Sequence, residues 1–169
     1  MFCKKNISVF VYLFITCMLL CFFGGCNQRQ QKSDLFVGAV MLAEAGKHEM
    51  TVEKLNKLVK TNEHFPEAYS LLGQLYQETG DYTKSAASYE KAIKLNPKSS
   101  KAYFNLGNVY RIMKKYTQAA MAYGKSCEIN PDYLEVYINA AKCYTEINNY
   151  KKALMFTQRV EQIGQNRSI

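Results

Sequence analysis

One ordered set of residue types returns along this chain every 34 positions, and that spacing restricts the fold to a row of small, similar units. Tyr69, Leu72, Gly73 and Tyr76 fall three and four residues apart, so they share one face of a helix. A break at Gly80-Asp81 follows, then a second stripe with Ser85, Tyr89 and Ala92, closed by Pro97. The set returns as Tyr103, Leu106, Gly107, Tyr110, Ala119, Tyr123, Ser126 and Pro131. It returns again as Tyr137, Ala140, Ala141, Tyr144, Ala153, Thr157 and Val160, with Gln165 in place of the proline. A weaker copy precedes them, with Leu35, Ala39 and Leu42, then Gly46 at the break, His48 in the column of Tyr82, Tyr116 and Tyr150, and Leu55 and Leu58 after it.

The units are Lys32–Phe65, Pro66–Ser99, Ser100–Tyr133 and Leu134–Arg167, each read as two helices joined by a tight turn. Gly73, Gly107 and Ala141 sit where a large side chain would hold the paired helices apart. Glycine or asparagine at the breaks suits a left-handed turn, and the aspartate or asparagine after it can cap the next helix. Lys114-Lys115 is the poorest of these turns. A degenerate first copy is expected, because a terminal unit has a neighbour on one side only. In the last unit, Thr157 and Glu161 replace Tyr123 and Cys127, which gives the final helix a polar outer face able to end the stack. Leu154 and Met155 are not explained by that role, so a homodimer through this end is left open.

The pattern resembles the tetratricopeptide repeat family, whose signature is an aromatic, leucine-glycine and tyrosine on the first helix, then alanine, an aromatic and proline. The matching residues are Tyr69, Leu72, Gly73, Tyr76, Tyr89 and Pro97, and then Tyr103, Leu106, Gly107, Tyr110, Ala119, Tyr123 and Pro131. The fourth unit matches at Tyr137, Ala141, Tyr144 and Ala153 and departs at Thr157 and Gln165. The resemblance implies an all-α, right-handed superhelical solenoid of antiparallel helix pairs, about four repeats long. It further implies a concave groove along the first helices that cradles a partner peptide or protein. Carried onto this sequence, the groove positions are Phe36 and Val40; Ser70, Gln74 and Gln77; Lys101, Phe104, Asn108 and Arg111; and Glu135, Ile138, Lys142 and Thr145. On this reading the groove is apolar at Phe36, Val40, Phe104 and Ile138 and cationic at Lys101, Arg111 and Lys142. The subfamily that clamps chaperone C-termini needs lysine, asparagine and arginine at set columns. Here Asn105 fits, but Ser70, Gln74, Glu135 and Asn139 do not, so that activity is not implied.

Residues 1–25 read as an export signal, with Lys4 and Lys5 ahead of an apolar run from Ile7 to Phe23. The ending Phe23-Gly24-Gly25-Cys26 resembles the lipobox of bacterial lipoproteins, which implies that Cys26 becomes the lipidated first residue. Residues 26–31 are then the lipidated cysteine and its tether. A polar stretch from Asn27 to Ser33 spans at most about 25 Å and would hold the body near the membrane. The implied location is a cell membrane or outer membrane, with the body in the periplasm or outside the cell.

With three cysteines leaving in the signal and Cys26 lipidated, Cys127 and Cys143 remain, at columns that favour small core residues over a disulfide. No metal site is read, because two thiols with His48 and His64 elsewhere lack the spacing of a zinc site. No serine elbow or phosphate-cradling glycine loop appears, so no catalytic residue and no cofactor is assigned. The chain carries a net charge of +8. The last two units hold ten basic and five acidic residues, yet eleven of the 13 tyrosines lie in four packing columns. That placement argues against a nucleic-acid stacking platform. The expected partner is an envelope protein or peptide held in the groove. A surface lipoprotein that contacts host or extracellular ligands is the alternative.

Overall fold

The computed structural model describes residue 31 and residues 33–166. The export signal, Cys26 and most of its tether, together with Lys32 and Arg167, lie outside the described residues. Eight helices are present among the described residues: α1 (33–44), α2 (His48–Thr61), α3 (Pro66–Glu78), α4 (Tyr82–Leu95), α5 (Ser100–Ile112), α6 (Tyr116–Ile129), α7 (Leu134–Glu146) and α8 (Tyr150–Asn166). No described helix is long and apolar enough to cross a membrane. The described residues form two compact parts, one ending at Lys54 and one beginning at Leu55.

In the first part, α1 buries Ala39 completely, and Gly46 turns the chain at φ +70°. Thr51 is fully buried and donates its hydroxyl proton to the Lys47 carbonyl at 2.8 Å.

The second part is an all-α ladder in which each of α3 to α7 packs on its successor, and α3 also touches α5. The glycine columns explain the close pairing. A Cβ on Gly73 would lie 2.9 Å from the Tyr89 ring, and one on Gly107 would lie 2.6 Å from the Tyr123 ring. Only a bare backbone lets those tyrosines lie against the first helix, and both are buried there. In the fourth unit Ala141 replaces the glycine, and the aromatic facing that column is replaced by Thr157. Hydroxyls tie the pairs further. Ser85 donates to the Gly73 carbonyl at 2.7 Å inside the core, and Ser126 donates to the Ser100 carbonyl at 2.9 Å.

Turns follow the repeat. Gly80, Lys114 and Asn148 all have positive φ, at 81°, 58° and 57°. Asp81 then caps α4 by accepting from the Lys84 amide at 3.1 Å, and Asn149 accepts from the Lys152 amide at 3.2 Å. Lys115 makes no such cap. Ahead of Pro97 and Pro131, Asn96 (φ −133°, ψ 83°) and Asn130 (φ −129°, ψ 91°) end α4 and α6 outside the helical region, as a residue before proline prefers. Their side-chain oxygens accept from the amides of Lys98 and Asp132, both at 3.3 Å.

Cys127 and Cys143 are buried and unpaired with each other. Burial pushes the Cys127 thiol up to about 12 against a hydrogen bond with Tyr137, and the Cys143 thiol up to about 11 against the nearby Arg111. Neither is a thiolate at neutral pH, so they are packing residues and not nucleophiles.

Candidate functional site

The groove positions expected from the sequence lie on α1, α3, α5 and α7, the first helices of their units. On α3, Gln74 is exposed and Ser70 and Gln77 are half-buried; Gln74 donates to Glu78 at 2.9 Å. On α5, Lys101 and Arg111 are exposed and Asn108 is half-buried. On α7, Glu135, Lys142 and Thr145 are exposed and Ile138 is half-buried, while Thr145 donates back to the Ala141 carbonyl at 3.1 Å. Phe36 and Val40 on α1 are half-buried within the first compact part.

Phe104 corrects the expectation. It is 8% exposed, with its ring 5.0 Å from that of Tyr133 and 6.0 Å from that of Tyr123. The reason is the position of α5 in the middle of the stack. It buries Ala102, Phe104, Leu106, Gly107 and Val109, so packing claims more than one of its faces. Covering a phenylalanine ring stabilises by roughly 2 kcal/mol, more than an open groove wall would return. Ile138, one repeat later in the same column, is the apolar residue left partly open on this face.

The structure draws several polar groups together where α5 meets the fourth unit. The Tyr123 ring lies against Gly107, and its hydroxyl donates to Asn108 Oδ1 at 2.6 Å. Burial raises the Tyr123 phenol to about 12, Arg111 opposes that shift, and Cys143 and Glu135 add to it. Asn108, Arg111 and Glu135 therefore surround one hydroxyl. Tyr89 is its counterpart in the preceding unit. Its hydroxyl is buried near Asn105 and finds no partner in hydrogen-bonding geometry among the described residues. Sequence reading places both tyrosines in the core and misses their hydroxyl ends, which reach the first-helix side. The available signal was the glycine opposite each ring, which admits a long side chain through the pair.

Chemically the first helices offer exposed cations at Lys101 and Arg111 on α5 and at Lys142 on α7, an exposed carboxylate at Glu135, and the half-buried Ile138 one turn before Lys142. That suits an extended, net acidic polypeptide with an occasional apolar side chain. Among the described residues no group of three or more His, Cys, Asp and Glu side chains could hold a metal ion.

The tetratricopeptide repeat family matches residues 100–133, and a second description, TPR repeat, matches residues 78–111. Among curated proteins the sequence finds no match. Among solved structures it is similar to a crystal structure of MamA, at 23% identity and a TM-score of 0.76 over 81% of this chain and 80% of that one. A MamA double mutant, RS-1 ArsTM, is similar at 17% identity and a TM-score of 0.74, covering 80% and 76%. MamA 41-end from Desulfovibrio magneticus RS-1 is similar at 17% identity and a TM-score of 0.72, covering 82% and 78%. At these identities the likeness establishes the fold alone.

Proposed function

Since the chain is a tetratricopeptide-repeat protein, we propose that it is a membrane-anchored scaffold that holds another envelope protein or peptide along its first helices and assists assembly of an envelope complex. The observation that carries this reading is that Lys101, Arg111 and Lys142 on α5 and α7 are exposed, with the half-buried Ile138 one turn before Lys142. Their alkyl stems and the Ile138 side chain give contact area, and their charges select an acidic segment and speed its capture. The lipobox-like ending at Cys26 supports the anchor.

A photo-crosslinking residue placed at Lys142 should trap a partner in intact cells, and one placed at Lys94 on α4 should not. Charge reversal at Lys101, Arg111 and Lys142 should abolish the adduct while helicity and melting stay unchanged. An adduct that survives triple reversal counts against the groove. Fatty-acid labelling of the wild type but not of Cys26→Ser checks the anchor independently.

A further inference from the structure

The second helices of the last two units present a different surface. Along α8 the outward stripe reads Lys151, Lys152, Met155 and Arg159, without an acidic residue. On α6 it includes Met121 and Lys125, with Lys114 and Lys115 just ahead of the helix. Glu128 is the acid on that stripe, and Lys125 pairs with it at 2.7 Å. Large apolar side chains stand on the same stripes as these cations: Met121 is 66% exposed and Met155 57%, while the exposed Tyr150 and Leu154 lie round the helix on the Thr157 and Glu161 side.

Between α6 and α8 lies a cavity of about 380 Å³, whose lining includes Cys127, Tyr137, Tyr144 and Met155 together with the charged Glu128 and Lys152. Lys152 sits over the Tyr144 ring at 5.2 Å. The repeat places a similar cavity of about 260 Å³ two units earlier, with Tyr69, Tyr76, Lys84 and Lys91 in the equivalent places. There the methionine column holds Ala87, so no long apolar side chain projects. The pairing of cations with projecting apolar groups is therefore a property of the last two units.

We propose that this outer face of α6 and α8 docks on an anionic phospholipid bilayer. Methionine is unbranched and adaptable, and Met121 and Met155 can enter the boundary between headgroups and acyl chains while the lysines meet lipid phosphates. A second copy of the same face would set like charges against each other, which argues against a symmetric dimer through it. The face stands apart from the cationic set on α5 and α7, so a docked body would keep that set available.

The chain contains no tryptophan, so single-tryptophan variants report one position at a time. Full-length Met155→Trp, Met121→Trp and Thr145→Trp would be mixed with vesicles of phosphatidylcholine alone and of phosphatidylcholine with an equal share of phosphatidylglycerol. The Thr145→Trp variant controls for vesicle association through any other part of the chain, so the local environment of the probe discriminates. The expected result is a blue shift and quenching by brominated lipid at positions 155 and 121 with anionic vesicles, and neither at 145. Added salt and the double change Lys151→Glu, Lys152→Glu should remove the shift, with helicity retained. Unchanged emission at 155, or the same emission on both vesicles, overturns the proposal. A blue shift that grows with protein concentration in the absence of vesicles also overturns it and assigns the face to a second copy.

Discussion

At the scale of single residues, the paired helices are held by a size rule between two columns. Glycine faces tyrosine in the second and third units, and alanine goes with threonine in the fourth. Alanine is the better helix former by about 1 kcal/mol, so a Gly107→Ala change would stabilise an isolated helix. In this protein its Cβ would meet the Tyr123 ring at 2.6 Å, and overpacking of this kind costs roughly 1–3 kcal/mol. Denaturant unfolding should therefore show Gly107→Ala less stable than the parent. The double change Gly107→Ala, Tyr123→Thr, which copies the fourth unit, should show a favourable coupling on the order of 1 kcal/mol in a double-mutant cycle. Additive losses would mean that the columns do not share a contact. Periodicity alone already places the glycine and the tyrosine on facing stripes. It gives no depth, which is why the Tyr123 hydroxyl reaching Asn108 was not legible in the sequence.

At the scale of elements, the helices and their breaks were readable wherever side-chain chemistry and backbone geometry agree. Gly80 and Asp81 announce a left-handed residue followed by a cap, and Asn148 with Asn149 does so almost as plainly. Lys114-Lys115 announces neither, yet it closes in the same way. Lys114 has φ 58° and its amide reaches the Arg111 carbonyl at 3.0 Å, while the Lys115 amide reaches the Tyr110 carbonyl at 2.8 Å. That double bond pattern is shared with Asn148 and Asn149, whose amides reach Thr145 and Tyr144 at 2.9 and 2.8 Å. Packing of α5 on α6 imposes the turn, and the lysine side chain bears the steric cost of the left-handed backbone. Lys114→Gly relieves a cost of about 1 kcal/mol, so it should raise the unfolding midpoint without altering the far-ultraviolet spectrum. Gly80→Lys should lower it by a similar amount.

At the scale of the whole molecule, the groove was legible as a set of columns and not as a set of exposures. Lys101, Arg111 and Lys142 are exposed, but Phe104 shares a column with Ile138 and is buried all the same. Neighbouring units on both sides of α5 decide that, and a repeat pattern read one unit at a time does not contain it. The same burial sets a response to alkali that belongs to the stack as a unit. Tyr89 and Tyr123 are raised from 10.0 to about 12, first by burial, and Tyr110 reaches the same value by burial and its hydrogen bond to Glu90. Cys127 and Cys143 are raised from 9.0 to about 12 and about 11. All five groups are neutral when protonated, and the folded state holds that proton more tightly than the unfolded chain does. Above the unfolded values the unfolded chain binds fewer protons, so stability must fall as pH rises. The contribution is complete below about pH 9, declines as the thiols and then the phenols of the unfolded chain ionise, and is gone once the folded values near 12 are passed. Each fully buried tyrosine can supply at most on the order of 3 kcal/mol of this loss. Urea unfolding at increasing pH should therefore give a midpoint that is flat to about pH 9 and then drops. The tyrosinate absorbance of Tyr89, Tyr110 and Tyr123, read as the difference from single Tyr→Phe variants, should develop late and together with loss of helix. Ionisation of these three near pH 10 in a chain that is still helical would show that their surroundings are wetter than this packing requires.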